Sequence, residues 1–324
     1  MSQRDTNPFP YSDSNKRYLT QDYYLRTRFG KKVIKLSLNA GLSCPNRDGS
    51  KGFGGCTYCS NELSGDFAGN PRDSILTQIE LQKNRLKSKW DTNLYIPYFQ
   101  AGTNTYAPLN TLKTMFETAL IPSNVVGLAI ATRSDCLPNE TIEYLAELSH
   151  RTYLTLELGL QTIHDRTAEY INRGHTFKEF IKTYNILISK GINVCIHIID
   201  GLPFETSTMM LQTIKAIADM HPHSVKIHML HILKDTIMAQ QYLKGDFNLL
   251  SLEEYTQLVC NQLELLPQDV IIQRVTGDGS KDDLIAPLWT LKKFVVMNEI
   301  DKELVRRNSY QGIFVVTPHT RSVD

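Results

Sequence analysis

The sequence predicts an α/β fold, a partial β/α barrel of six parallel strands with extensions at both ends. Six short runs rich in Val, Ile, Leu and Tyr have the composition of buried parallel strands. Segments with helical periodicity and helix-capping residues separate these runs, so strand and helix alternate along the chain. A cysteine-rich loop follows the first run, at the position where β/α barrels carry their chemistry.

The six predicted strands lie between residues 32 and 230. In chain order they are 32–38, 94–100, 125–132, 152–160, 192–199 and 224–230. Helices are predicted between them because capping residues precede the intervening segments. The capping positions are Asp73, Asn139, a capping box of Thr176 with Glu179 and, beyond the sixth strand, a second box of Ser251 with Glu254.

The 324 residues divide into three predicted parts: a basic and aromatic N-terminal arm (1–30), the barrel (31–240) and a C-terminal extension (241–324). The extension is expected to cover the barrel mouth. Within it, residues 270–278 predict a further strand and turn, and residues 284–307 predict one long helix. The cations expected on the outer face of that helix are Lys292, Lys293, Arg306 and Arg307.

Composition indicates a cytoplasmic protein that does not enter a membrane. The net charge is +1, no apolar run reaches the roughly 20 residues of a membrane helix, and the N-terminus has no apolar signal core. In a reducing compartment, clustered thiols more often bind metal or do chemistry than form disulfides. Charge is uneven along the chain: the first 35 residues carry eight Lys/Arg, three Asp and six aromatic residues. Such a stretch suits RNA contact or forms a solvated arm.

Three of the six cysteines lie in the sequence CPNRDGSKGFGGCTYC, residues 44–59. They are Cys44, Cys56 and Cys59. A structural zinc site almost always needs four ligands, and here the next cysteine is Cys136, with no histidine in the loop. Three thiolates suit a 4Fe–4S cluster that keeps one iron open for a further ligand. The cluster is therefore favoured over zinc and over unligated thiols, and the scattered Cys136, Cys195 and Cys260 are expected to be buried apolar residues.

This loop and the motifs after it resemble the radical S-adenosylmethionine (SAM) enzymes. The motifs that fit in order are LSLNAGLSCPNRDGSKGFGGCTYC, YFQAGTNTYAP, LELGLQT, INRGHT, HIIDGLPFET and VKIHMLHILKDT. The gap between the first cysteine and the Cys-x-x-Cys pair is longer than in most of the superfamily. It is similar to that of the bacterial YhcC/YtqA-type (MnmL-like) branch, which is related to the radical SAM domain of the Elongator catalytic subunit.

The resemblance implies one 4Fe–4S cluster on the three loop cysteines and SAM on its open iron. The residues implied to contact SAM are Tyr58, Gly102, Thr103, Asn104, Gln161, Arg173 and His197. Other interpretations remain open for some of them. The segment around Gly102 has the composition of an ordinary turn, Arg173 with His175 would also fit a surface turn, and His197 would also fit a satisfied core histidine.

The resemblance also implies a substrate, the wobble uridine in the anticodon loop of tRNA. The implied reaction converts 5-carboxymethylaminomethyl(-2-thio)uridine to 5-aminomethyl(-2-thio)uridine through a 5′-deoxyadenosyl radical. The hypothesis is hydrogen abstraction from the glycine-like methylene, oxidation to an imine and hydrolysis. The substrate carboxylate needs a cation, for which Lys226 and Arg274 are the candidates, and Glu157 is the candidate partner of the secondary amine.

The implied partners are tRNA and an electron donor such as flavodoxin or ferredoxin. Two other function classes stay open. One is a radical SAM enzyme that acts on a small molecule such as a porphyrin precursor. The other is a non-catalytic, zinc-binding RNA module, which iron and sulfide analysis would distinguish from an iron–sulfur protein.

Overall fold

Seven parallel strands form one curled sheet in a computed structural model that describes residues 7–63, 65, 67–90, 92–277 and 279–315. The ends of the predicted arm (1–6) and extension (316–324), and residue 278 of the predicted strand and turn, lie outside the described residues. The strands of this sheet, in spatial order, are β1 (Val33–Leu38), β2 (Leu94–Phe99), β3 (Gly127–Thr132), β4 (Tyr153–Gln161), β5 (Asn193–Asp200), β6 (Ser224–Met229) and β8 (Ile271–Arg274). A separate antiparallel pair consists of β7 (Ile232–Leu233) and β9 (Leu284–Ala286).

The α/β partial barrel is confirmed, but with seven strands where the sequence predicted six. The seventh is β8, which pairs in parallel with β6 and places Arg274 opposite Lys226. Its four residues include Gln273 and Arg274, so the run is too short and too polar to show its partner from the sequence. The predicted extension therefore supplies one edge of the barrel sheet.

Helices pack against the outer face of the sheet. They are α1 (Gln21–Phe29), α2 (Ile75–Lys87), α3 (Leu109–Leu120), α4 (Asn139–Arg151), α5 (Asp165–Tyr170), α6 (Phe177–Ser189), α7 (Ser207–Met220), α8 (Ile237–Leu243), α9 (Leu252–Leu265) and α10 (Lys293–Arg306), with a 3₁₀ turn at Leu288–Leu291. Both predicted capping boxes are formed, at the starts of α6 and α9. Two predicted caps are wrong by one residue: Ser74, not Asp73, caps α2, and α4 begins at Asn139 after Pro138.

Strand alternation divides the sheet into an apolar and a polar face. The outward side chains, such as Leu36, Ile130 and Leu156, are fully buried against the helices in one large core. The inward side chains include polar residues on several strands, such as Glu157 on β4 and Lys226 on β6. Because one residue of shift would exchange the two faces, this alternation also determines the register of the strands.

The arm packs against the end of the barrel at which the strands begin. Leu25 of α1 is buried with Val33 and Tyr153, and the Phe29 and Tyr153 rings meet edge to face at 5.8 Å. Phe9 and Tyr18 are buried as well. These aromatic rings contribute to the core, so the expectation that the arm's aromatic residues stack on RNA bases is wrong for Phe9 and Tyr18.

The long C-terminal helix predicted over 284–307 is interrupted. Leu284–Ala286 form a strand, Pro287 follows, and α10 begins only at Lys293. Proline has no N–H to donate and its ring clashes with a preceding helical turn, which explains the break. Arg307 is also not outward, since its Nη1 donates to Asn261 Oδ1 at 2.6 Å on α9. No helix in the described part of the chain is long and apolar enough to cross a membrane.

Candidate active site

A cavity of about 800 Å³ opens where the strands of the large sheet end. The cysteine loop after β1, the turn after β2 and the last residues of β4 and β5 all line it. The carboxyl ends of parallel strands meet at one edge of a sheet, so residues far apart in sequence converge there. The residues that line it from the predicted site are Cys44, Cys56, Tyr58, Cys59, Gly102, Thr103, Glu157, Gln161, Arg173, His197, Lys226 and Arg274.

The cysteine loop is held by hydrogen bonds to the segment after α5. Asn46 Nδ2 donates to the Asn172 carbonyl, and Asn172 Nδ2 donates to the Gly55 carbonyl at 2.8 Å. Asn46 Nδ2 also lies 3.8 Å from Cys56 Sγ. Gly55 has a φ of +76°, a conformation that favours glycine, and an added Cβ would meet Arg47. These contacts keep the three thiols at one wall of the cavity.

The donor set fits a 4Fe–4S cluster better than a single metal ion. Among the described residues, no three His, Cys, Asp or Glu side chains are close enough together to bind one ion. A cluster makes a different demand, because each thiolate binds a separate iron and the thiols need not meet at a point. Cys44, Cys56 and Cys59 are partly exposed on the same cavity, whereas the other three cysteines are buried, as predicted. Burial raises the pKa of the Cys56 thiol, and the Arg133 guanidinium opposes that shift.

The turn after β2 lies directly against the cysteine loop. The Gly102 N–H donates to the Leu63 carbonyl at 3.1 Å, and the Thr103 N–H donates to the Ser43 carbonyl at 3.2 Å. Any Cβ at Gly102 would collide with the Leu42 carbonyl, so the close approach requires glycine there. Asn104 does not line the cavity. It is buried beneath the turn, where its amide donates to the Phe99 and Ala131 carbonyls, both at 3.0 Å.

Arg173 supports the rim of the cavity through backbone carbonyls. It is only 1% exposed, and its guanidinium donates to Leu160, Thr162 and His175. Burial lowers the pKa of Arg173. His175 is also buried, and neither of its ring nitrogens has a partner among the described residues. The alternative of a surface turn at Arg173 and His175 is therefore wrong.

The centre of the cavity contains a buried group of charges around Glu157. Its carboxylate accepts from the Nζ atoms of Lys35 and Lys226, and His197 Nε2 lies 3.0 Å away. Burial alone would raise the pKa of Glu157, but Lys226 and Lys35 hold it well below its usual range. Burial lowers the pKa of Lys226 to about 8, against the pull of Glu157. Burial also lowers the pKa of His197 to about 4, so this ring is neutral at pH 7.

Arg274 lies next to this group because β8 pairs with β6. Its Nε donates to His228 Nε2 at 2.7 Å, and Lys226 is its neighbour across the strands. The predicted pair of cations, Lys226 and Arg274, is therefore brought together at one cavity wall. Glu157 is the single acidic residue among the described residues that line the cavity. The cations that line it are Lys35, Arg85, Lys89, Arg133, Arg173, Lys226, Arg274 and Lys293.

Sequence reasoning missed Lys35, the second cation on Glu157. Its Nζ also donates to Gln273 Oε1 at 2.8 Å and lies 5.0 Å from the centre of the Tyr98 ring. A signal was present, because a lysine in the middle of the apolar run Val33–Leu38 shares the inward face with Ser37. Gln273, Tyr98 and His228 gave no comparable signal, since their roles depend on strand neighbours that are remote in sequence.

Comparison with known proteins agrees with this geometry. The family model of the Radical SAM superfamily matches residues 44–217, and that of the Radical_SAM C-terminal domain matches residues 222–306. This chain belongs to the radical SAM superfamily. YtqA of Bacillus subtilis (strain 168) is 53% identical over 308 residues, which cover 95% of this chain and 96% of YtqA. The resemblance to the YtqA-type radical SAM branch is confirmed.

Two more distant matches extend the comparison. The tRNA uridine(34) acetyltransferase of Methanocaldococcus jannaschii is 28% identical over 156 residues, 47% of this chain and 28% of that protein. The solved structure of Methanocaldococcus infernus Elp3 with an N-terminal deletion has a TM-score of 0.64 at 18% identity, covering 86% of this chain and 64% of that chain. The second match shows that the curled parallel sheet is the same fold. Radical SAM proteins typically bind a 4Fe–4S cluster and SAM, and the thiol wall and its glycine turn fit both.

Alanine at Cys44, Cys56 or Cys59 should each prevent assembly of the cluster, because a site with three thiolates has no spare ligand. The measurement is iron and sulfide per chain after anaerobic reconstitution, expected at about four irons in the parent protein. Cys260→Ala is the matched control, since this thiol of α9 is buried and donates to the Ile300 carbonyl of α10. Full iron content in all of the loop variants would contradict the assignment.

Glu157→Gln should destabilise the metal-free chain on the order of 3 kcal/mol at pH 7, because it leaves the buried ammonium group of Lys226 and the partly exposed one of Lys35 without their carboxylate. A depressed pKa stabilises the fold above the unfolded value of 4.5 and loses that contribution as the pH falls below it. The difference from the parent protein should therefore shrink below about pH 4.5. Urea unfolding across this pH range measures it. Glu169→Gln, on the exposed side of α5, is the control, and a difference independent of pH would rule out the depressed carboxyl.

Proposed function

We propose that this radical SAM enzyme modifies the wobble uridine of tRNA, converting 5-carboxymethylaminomethyl(-2-thio)uridine to 5-aminomethyl(-2-thio)uridine. The observation that carries the proposal is the excess of cations over Glu157 in the cavity that the three thiols also line. Such a cavity selects an anionic group, and the substrate side chain ends in a carboxylate. The kinship with a tRNA uridine(34) acetyltransferase supports tRNA as the carrier of that group.

Lys226 and Arg274 are the proposed partners of the substrate carboxylate. They lie on adjacent strands with paired registers, and both line the cavity. Two cations on neighbouring strands can donate hydrogen bonds to the two oxygens of one carboxylate. The Arg274 guanidinium also has the fork geometry that matches a carboxylate. Lys35, which forms an ion pair with the same Glu157, adds a third positive charge to this wall.

Glu157 was expected to hold the secondary amine of the substrate, and the geometry favours a different role. Both carboxylate oxygens already accept hydrogen bonds, one from Lys35 and the other from Lys226 and His197. We assign Glu157 as a positioning residue that orients the two lysines. It also supplies the negative charge that favours the protonated form of the buried Lys226.

Cys44, Cys56 and Cys59 would hold the 4Fe–4S cluster, while Tyr58, Gly102, Thr103 and Gln161 line the space for SAM beside it. When bound and reduced by a donor such as flavodoxin or ferredoxin, the cluster and SAM supply the 5′-deoxyadenosyl radical that removes a hydrogen atom from the substrate. With its carboxylate on Lys226 and Arg274, the glycine-like methylene is the carbon held in the cavity. The substrate radical then passes one electron to oxidised flavodoxin or ferredoxin and loses a proton, which leaves an imine. Water adds to the imine, the two carboxymethyl carbons leave as glyoxylate, and the 5-aminomethyl group is released.

The decisive experiment is mass spectrometry of tRNA nucleosides after anaerobic incubation with reconstituted protein, SAM and a reductant. The tRNA carries 5-carboxymethylaminomethyluridine. We expect 5-aminomethyluridine and 5′-deoxyadenosine to appear together. Deoxyadenosine with an unchanged nucleoside would overturn the tRNA assignment and direct the search to anionic small molecules such as porphyrin precursors. Tight tRNA binding by a protein that takes up zinc and no iron would instead identify an RNA-binding module.

The role of Lys226 predicts a pH limit. Because burial lowers its pKa to about 8, Lys226 is charged below that pH and neutral above it. kcat/KM should therefore fall about tenfold per pH unit above pH 8, since it reports the free enzyme. Lys226→Arg, which stays protonated, should remove this decline, whereas Lys215→Arg on the exposed face of α7 should keep it. The same decline in both variants would show that Lys226 does not set the limit.

A further inference from the structure

The last turn of α2 and the residues after it form an exposed basic surface beside the cavity, and two of its residues, Arg85 and Lys89, line that cavity. We infer that this α2 surface, defined as Arg85, Lys87, Lys89 and Trp90, binds the sugar–phosphate backbone and one base of the RNA strand that carries the substrate uridine. The inference rests on the proposed function and deepens it, because it specifies where tRNA docks.

The first support is that the three cations of this surface form no ion pair with a carboxylate among the described residues. The one acidic residue of α2, Glu80, pairs with Lys83 at 2.7 Å. Arg85, Lys87 and Lys89 are exposed, and no ion pair connects them to a carboxylate in the described part of the chain. The helix dipole favours cations at this end and explains Arg85 and Lys87 in the last turn, but not Lys89, which follows the helix.

The second support is Trp90, which the helix dipole does not explain. Its side chain is 38% exposed, although a tryptophan is costly to leave in water. Lys32 Nζ lies 4.0 Å and Lys89 Nζ 5.6 Å from the indole ring. An exposed ring bordered by cations is the combination with which proteins bind single-stranded nucleic acid, since the ring stacks on a base and the cations contact phosphates.

The third support is position. Arg85 and Lys89 line the same cavity as the three thiols and Lys226, and Lys293 from α10 lines it too. A polymer that places one base in this cavity must lay its flanking phosphates on the rim. Arg85 and Lys89 meet that requirement, and Trp90 extends the surface along the molecule toward Lys32, just before β1. Phe9 and Tyr18 of the N-terminal arm, by contrast, are buried.

An acidic electron-transfer protein is the rival partner for these cations. RNA is favoured because a base can stack on Trp90 and because the surface is continuous with the cavity that receives the substrate. An electron donor needs only proximity to the cluster and gains nothing from an exposed indole.

The test compares Arg85→Gln/Lys87→Gln/Lys89→Gln with a control that removes the same charge, Lys178→Gln/Lys182→Gln/Lys215→Gln. The control lysines are exposed on α6 and α7, and none lines the cavity. Binding of the substrate tRNA to the reconstituted full chain is measured by fluorescence anisotropy from about 50 to 300 mM salt. The α2 variant should bind at least about tenfold more weakly at low salt, with a slope of log Kd against log salt reduced by about 2. The control should match the parent protein.

Trp90 is tested separately. Trp90→Ala should weaken tRNA binding roughly 5- to 150-fold, the range for loss of one stacked base, and Trp90→Phe should restore most of it. Circular dichroism and cluster absorbance identify any variant that fails to fold.

The outcomes separate the surface from the function. If the parent protein converts the tRNA nucleoside and the α2 variant binds tRNA with unchanged affinity and salt slope, the surface is wrong and the function stands. If the α2 variant keeps tRNA binding but loses reduction by flavodoxin, the surface belongs to the electron donor. If the parent protein does not bind tRNA, the proposed function fails and the surface with it.

Discussion

The buried carboxylate of Glu157 is the interaction on which the arrangement of the cavity depends. It accepts hydrogen bonds from Lys35 on β1, the first edge of the sheet, and from Lys226 on β6. Lys35 also reaches Gln273 on β8, the opposite edge. The polar group thus connects both edges across the inside of the curled sheet. Removing a carboxylate from such a group leaves buried charges unpaired, which costs far more than the loss of a surface ion pair.

The alternation of side chains along the strands explains why thiols and cations share one cavity. Alternation along each strand sends apolar side chains to the helices and leaves the other face for polar ones, which collect where the strands end. The loops at that end then hold each other in place: the turn at Gly102 packs on the cysteine loop, and Asn46 and Asn172 exchange hydrogen bonds with each other's segments. The thiol wall and the cations Lys226 and Arg274 therefore line one cavity.

Aromatic residues have separate uses in the arm and on the α2 surface. The arm's rings contribute to the core through Tyr153. Trp90 instead stays exposed beside Lys32 and Lys89, and cations outnumber acids among the described residues that line the cavity. Exposed cations and an open ring suit a polyanion with unstacked bases.

The sequence by itself determined the fold class, the seven strand segments of the sheet, the two capping boxes and the thiol trio, because these depend on local periodicity and spacing. The motif series also located most cavity residues from Tyr58 to Lys226, and Arg274 lies in the run predicted as a further strand. Only the tertiary structure decided the remainder. It paired β8 with β6, placed Lys35 on Glu157, directed Asn104 beneath its turn and used Arg173 to hold carbonyls. Those outcomes depend on which strands become neighbours and which donors find carbonyls, and a linear pattern does not contain either.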